Sequence, residues 1–151
     1  MRINTQFPVA IHILAVLAFF KDDNMTSSDL ARSVGTNPVV IRRLISQLKS
    51  AGLVDARAGV KGISLCKKPE EISILEVYKA MRLPDEVVFD LHPNPNGQCE
   101  VGAHIRAALN GPFLSAQKAM EDKLASFYLS DVLESINADL RKFPGPGCDF
   151  V

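Results

Sequence analysis

The stretch GTNPVVIRRLISQLKSAGLV, residues 35–54, has the pattern of a helix with one apolar and one basic face. Apolar side chains recur at the i, i+3, i+4 and i+7 positions of a buried stripe: Ile41, Leu44, Ile45 and Leu48. Basic and polar side chains fall on the opposite side: Arg42, Arg43, Ser46, Gln47 and Lys49. Pro38 suits the first turn of such a helix, and Ala51-Gly52 suits its end. Because the stretch contains no acidic residue, it predicts an amphipathic helix whose outer face is purely basic.

The residues on either side of this helix predict a helix-turn-helix followed by a wing. Thr26-Ser27-Ser28-Asp29 has capping-box spacing and opens a short helix, SDLARSV, which Gly35-Thr36-Asn37 ends. After the basic helix come two short runs, LVDARAG (residues 53–59) and ISLCK (residues 63–67), with a glycine-containing tip at residues 59–62. This pattern predicts a β-hairpin. Two short helices joined by a glycine-containing turn, followed by a basic hairpin, are typical of a winged helix-turn-helix.

The N-terminal segment predicts a buried first helix from about Pro8 to Phe20. Residues 7–20 are apolar except for His12, and Pro8 suits a first helical turn. This run is shorter than the roughly 20 residues that a membrane span needs. KDDN follows it in place of a small-residue cleavage site, which argues against a secretion signal. We therefore expect no membrane association.

The C-terminal half is predicted to be helical. SILEVYKAM indicates a fourth helix that Pro84 ends, and residues 90–97 form a loop. A long helix is expected from about Val101 to Ser126, with a kink or break at Gly111-Pro112. A last helix runs from Ser130 to about Lys142, and the tail FPGPGCDFV is irregular. The fold class is therefore mainly α with a small β-hairpin wing.

Charge is unevenly distributed along this formally neutral chain. From Arg32 to Lys68 there are eight Lys or Arg and one acidic residue, Asp55, which gives +7. The other 114 residues hold nine basic and sixteen acidic residues, which gives −7. A basic segment of this kind is the electrostatic signature of nucleic-acid binding, although a merely solvated basic face has the same composition.

The predicted helix-turn-helix assigns roles on double-stranded DNA to individual residues. Because a recognition helix meets base edges with its N-terminal half, we expect base contacts from residues 37–43. Arg42 and Arg43 can each pair with guanine, and Val39 or Val40 can touch thymine methyl groups. Asn37 begins this half. The other candidate contacts go to phosphates or to an adjacent minor groove: Thr26, Ser27, Ser28, Gln47, Lys49, Arg57 and Lys61.

Two other classes of function remain open at this point. A winged helix can act as a protein–protein adaptor with solvated arginines, and it can also bind RNA. No enzyme is expected, because the chain has no G-x-x-x-x-G-K-[ST], H-E-x-x-H or G-x-S-x-G motif. The three cysteines form no C-x-x-C pair, which fits a reducing, cytoplasmic environment.

Over about Met1 to Leu140 the chain resembles the Rrf2 family of bacterial transcription regulators. Four blocks in order carry the resemblance: DLARSVGTNPVVIRRLISQLKSAGLV, RAGVKGISL, ISILEVYKAM and CEVGAHIRAAL. The resemblance implies a homodimer, most often a repressor, that reads a palindromic operator. It also places Val39, Val40, Arg42 and Arg43 at bases and Arg57 at the minor groove. The implied organisation is a winged helix-turn-helix domain (1–83), a loop (84–100), dimerisation helices (101–142) and a tail (143–151).

The sequence departs from the cluster-binding members of that family at two places. Arg42 stands where iron–sulfur members typically carry a glutamate, so a different operator is expected. Those members also carry three cysteines in the loop before the long helix, and this loop has Cys99 alone. Because a cluster needs about four ligands, we expect no cofactor and assign the chain to a non-cluster branch.

The remaining cysteines and histidines are candidates for lesser roles. Cys99 precedes a predicted helix, whose N-terminus favours a thiolate, so it is a candidate thiol sensor. The alternative is a residue without a redox role. His12 and His104 are expected in the core or at an interface rather than as ligands. An effector molecule or protein of unknown identity stays open as a further partner.

Overall fold

The computed structural model describes residues 5–56, 62–82 and 87–148. The N-terminal elements are α1 (Gln6–Phe19), α2 (Ser27–Val34), α3 (Pro38–Ser50), β1 (Val54–Ala56) and β2 (Ile63–Leu65). A short 3₁₀ turn (Pro69–Glu71) leads to α4 (Ile74–Met81), α5 (Glu100–Ala125) and α6 (Leu129–Lys142). The predicted fold class, mainly α with a β-hairpin wing, is confirmed.

Helix α1 lies at the centre of the core, as its apolar sequence predicts. Six of its residues are buried: Ala10, Ile13, Leu14, Ala15, Val16 and Leu17. It packs against α2, α4, α6 and β2. His12 is the exception, because its side chain is exposed and Nε2 lies 3.1 Å from the Ser33 hydroxyl oxygen. Of the two places expected for His12, the core is therefore wrong and an interface stays a prediction, while within the chain this residue links the surfaces of α1 and α2.

Helices α2 and α3 form the predicted helix-turn-helix. Thr26 and Asp29 make the capping box at the start of α2. Gly35 ends α2 in the left-handed conformation, at φ +76°, which L side chains rarely adopt. The Asn37 side chain then caps α3 by accepting a hydrogen bond of 2.8 Å from the Val39 backbone N–H. The predicted stripe of α3 is buried: Ile41, Leu44, Ile45 and Leu48.

The hairpin has an antiparallel register in which Val54 faces Leu65 and Ala56 faces Ile63. The described strands are three residues each, and β2 is shorter than the predicted run of residues 63–67. Leu53 connects the hairpin to α3, because its N–H donates to Leu48 and its carbonyl accepts from Cys66. The predicted tip, including Arg57 and Lys61, lies outside the described residues.

The long helix α5 continues through Pro112 without a break. The predicted break is therefore wrong, since removal of one backbone donor does not end a helix that the neighbouring turns support. A kink there stays a prediction. Arg82, just after α4, holds α5 through an ion pair of 3.1 Å with Glu121. None of the side chains of α5 is buried within the chain.

Helix α6 returns the chain to the core. Leu129 is fully buried, and its N–H donates to Ile72. Residues 144–148 have no regular structure, as predicted for the tail. Across the part of the chain that the structure describes, no helix is both long and apolar enough to span a membrane.

Candidate nucleic-acid interface

The outer face of α3 is an exposed surface of apolar and basic side chains at the protein periphery. Arg42 and Arg43 are both exposed, and within the described residues neither side chain makes an ion pair or a hydrogen bond. Val39 precedes them with 65% of its surface exposed. Since the opposite face of α3 is core, these side chains project from a helix that cannot rotate. The guanidinium groups are therefore available for a ligand outside the chain.

The two valines differ in their surroundings. Val40 is half-buried and packs against the core, whereas Val39 is exposed. Of the pair predicted to touch thymine methyl groups, Val39 alone is exposed to a partner. Asn37 is exposed as well, but its side-chain oxygen already caps α3.

The predicted phosphate contacts at the start of α2 are only partly available. The Thr26 hydroxyl donates to the Asp29 carboxylate at 2.6 Å and accepts from the Asp29 N–H at 3.3 Å. The hydrogen bond from the Thr26 hydroxyl, followed by that from the Thr26 backbone, lowers the pKa of Asp29. Thr26 is therefore occupied by the cap, while Ser28 is exposed and Ser27 half-buried.

Two of the predicted phosphate contacts, Gln47 and Lys49, come from the second half of α3. The Lys49 ammonium group donates to the backbone carbonyl of Ala56, the last residue of β1. Gln47 is half-buried, and its enclosed Oε1 accepts no hydrogen bond among the described residues. Sequence patterns did not indicate the Lys49 hydrogen bond, because it depends on how α3 meets the strand that follows it.

Further along the basic segment, Lys67 and Lys68 are both exposed. Lys67 pairs with Glu76 at 2.6 Å, and the hydrogen bond that its ammonium group donates to that carboxylate raises the pKa of Lys67. Burial alone would raise the pKa of Glu76, but the hydrogen bonds from Lys67 and Ser73 outweigh it, so the pKa is lowered. Lys67 is therefore engaged at the start of α4, unlike Arg42 and Arg43.

The cysteines do not come together in the fold. Cys66, Cys99 and Cys148 are all free and exposed, and Cys99 is the residue immediately before α5. His104 on α5 is exposed, so its expected place in the core is wrong and an interface role stays a prediction.

The loop before α5 is tightly packed against that helix. A Cβ at Gly102 would lie 2.2 Å from the Asn96 carbonyl oxygen, so the close approach requires glycine. The Arg106 guanidinium donates to the Pro93 carbonyl at 2.9 Å and fixes the other end of the loop.

Residues 3–135 match the Rrf2 family, which is described as an iron-dependent transcriptional regulator. YwnA of Bacillus subtilis (strain 168), a proposed HTH-type transcriptional regulator, is 48% identical over 134 residues, 89% of this chain and 98% of YwnA. The crystal structure of a proposed DNA-binding protein has 46% identity and a TM-score of 0.71, over 85% of this chain and 99% of that one. A proposed transcriptional regulator from Lactobacillus plantarum shares the fold, with 24% identity, a TM-score of 0.76 and coverage of 89% of this chain and 91% of its own.

The iron in that family description does not fit the side chains of a single chain. Within residues 5–56, 62–82 and 87–148, nowhere do three His, Cys, Asp or Glu side chains come together as metal ligands would. The family itself is one of regulators rather than enzymes. On the match over residues 3–135 and the identity with YwnA, this chain belongs to the Rrf2 family of transcriptional regulators.

Proposed function

We propose that this protein is a cytoplasmic, sequence-specific DNA-binding regulator. It acts as a homodimer on a palindromic operator, where it represses transcription. The observation that carries the proposal is the outer face of α3. Arg42 and Arg43 are exposed and unengaged there, on a helix whose other face is fixed in the core. A fixed helix with free guanidinium groups is suited to reading base edges, because direct readout requires a defined orientation of the side chains.

In this proposal the N-terminal half of α3 enters the major groove. Arg42 or Arg43 donates two hydrogen bonds to guanine O6 and N7, and Val39 contacts a thymine methyl group. The exposed Ser28 hydroxyl, at the start of α2, contacts the phosphate backbone and sets the register of the helix. Arg57 and Lys61 act from the wing on the backbone or the minor groove.

The homodimer is supported by the surface of α5. This helix has 26 residues and no buried side chain, and it exposes 68% of Val101 and 56% of Leu114. A second copy packed along the Leu114 side of α5 would bury that residue. A two-fold dimer would place two α3 helices about one turn of DNA apart, roughly 34–36 Å, which requires an operator with matching half-sites.

The proposal includes no metal cofactor, in agreement with the scattered, exposed cysteines. Cys99 remains a candidate thiol sensor, with the alternative that it has no redox role. If Cys99 is the sensor, Cys99→Ser removes any peroxide-dependent change in DNA affinity. A variant that still responds to peroxide would eliminate that role.

The experiment that tests the function is a selection of genomic DNA fragments by the purified protein at about 150 mM salt, where binding driven only by charge is reduced. The expected result is enrichment of one palindromic motif. Recovery of no motif would contradict the proposal. If DNA binding also stayed unchanged in Arg42→Ala and Arg57→Ala, an adaptor that binds another protein would be the better account.

A further inference from the structure

The wing is attached to the recognition helix at the end of its first strand. Lys49, in the last turn of α3, donates from its ammonium group to the Ala56 carbonyl. Ala56 is the last residue of β1 and pairs with Ile63, so this bond lies at the final rung of the hairpin before the tip. A hydrogen bond from a charged donor is stronger than one between neutral groups. The first strand is therefore fixed relative to α3 at the point where the chain enters the tip.

The wing is attached a second time at the start of its return strand. The Ile63 N–H donates to the Met25 carbonyl at 3.0 Å, and Met25 is almost fully buried. Gly62, just before it, has φ +102°, and a Cβ there would lie 3.2 Å from Asn24 Oδ1. Asn24 and Met25 directly precede Thr26, the cap of α2. The return strand is therefore fixed relative to α2.

We propose that Lys49 is a positioning residue that acts on DNA binding through the wing and makes no phosphate contact of its own. This inference rests on the proposed function. The two attachments hold Ala56 to α3 and Ile63 to the residues that precede α2, so the two strands of the hairpin are fixed relative to both helices of the helix-turn-helix. Lys49 is the side chain that makes the attachment on the α3 side.

The place of Lys49 along α3 agrees with this role. A recognition helix meets DNA with its N-terminal half, whereas Lys49 is the twelfth of the thirteen residues of α3. A cation is also favoured at a helix C-terminus by the orientation of the backbone carbonyl groups. Arg42 and Arg43, by contrast, have no partner among the described residues.

The test is a double-mutant cycle between Lys49→Met and Arg57→Ala on the operator recovered by selection. We expect Lys49→Met to weaken binding about 3- to 10-fold when Arg57 is present and less than about 2-fold when Arg57 is replaced, because coupled residues are not additive. Lys49→Met should also change the slope of log affinity against log salt concentration when Arg57 is present, and change it less when Arg57 is replaced. Lys49→Arg, which keeps a charged donor, should restore most of the affinity.

Two comparisons make the outcome unambiguous. Lys79→Met removes the same charge from an exposed position in the last turn of α4, outside the proposed DNA and dimer surfaces, and should leave binding unchanged. Equal losses in both Arg57 backgrounds, with the salt slope reduced by about one each time, would show a direct phosphate contact and overturn the inference. No loss on Lys49→Met would overturn it as well. Failure of the wild-type protein to bind any operator would instead contradict the proposed function.

Discussion

Individual residues in this chain have roles that their neighbours determine. Thr26 and Asp29 exchange hydrogen bonds at the start of α2, and the pKa of folded Asp29 is lowered by them. A carboxyl group whose pKa is lower in the folded than in the unfolded state stabilises the fold above its unfolded pKa, near 3.8, and loses that contribution as pH falls through the folded pKa.

We therefore expect Thr26→Ala to cost about 1 kcal/mol of unfolding free energy at pH 7 and distinctly less at pH 3. Urea denaturation of both proteins at one protein concentration and the two pH values measures the difference. Ser28→Ala, two residues away and exposed, should change stability by less than about 0.5 kcal/mol. A cost for Thr26→Ala that does not depend on pH would show that Asp29 is not part of the cap.

Roles that depend on local sequence could be predicted, and roles that depend on distant contacts could not. The capping box of α2 follows from the Thr26-x-x-Asp29 spacing, and the structure confirms it. The bond from Lys49 to Ala56 joins a helix to a strand beyond a turn, so no periodicity indicates it. The exposure of His12 was not predicted for a related reason, since an apolar run does not reveal which side of the helix meets Ser33.

At the scale of elements, hydrophobic periodicity predicted the helices well because each has one buried side. The 3- and 4-residue spacing of α3 reappears as four buried residues. Periodicity predicted α5 least well, because no side chain of this helix is buried. The break expected at Gly111-Pro112 does not occur.

The proline in α5 predicts a stabilising substitution. Pro112 cannot donate to the carbonyl of residue 108, and a proline in a helix interior costs up to about 3 kcal/mol. We expect Pro112→Ala to raise the unfolding free energy by about 1–3 kcal/mol. Gly111→Ala, adjacent and with open space for its Cβ, should raise it by about 1 kcal/mol. If Pro112→Ala destabilises the protein instead, α5 needs the bend that proline imposes.

For the whole molecule, a single chain leaves a large apolar surface uncovered, and the proposed dimer accounts for it. We expect Leu114→Glu to shift the protein towards monomer in sedimentation equilibrium, because it places a charge on the exposed face of α5. Ser115→Glu adds the same charge at the next exposed position and is the matched control. A dimer unaffected by Leu114→Glu would place the interface elsewhere.

The charge distribution and the family were accessible from sequence, because both depend on residue order alone. The basic segment from Arg32 to Lys68 and the four Rrf2 blocks are visible without coordinates. The division of the basic residues into engaged and free groups required the structure. Lys67 pairs with Glu76 and Lys49 holds the hairpin, whereas Arg42 and Arg43 stay unpaired among the described residues.

The central claim is that α3 reads DNA bases through its free arginines, and competition binding on a panel of single-base operator variants tests it most directly. The wild-type protein should discriminate at one base pair by about 1–3 kcal/mol, and Arg42→Ala should lose that preference at that position alone. Arg141→Ala, an exposed arginine on α6, should keep every preference. An Arg42→Ala protein that retains the full base preference at all positions would contradict direct readout by this residue.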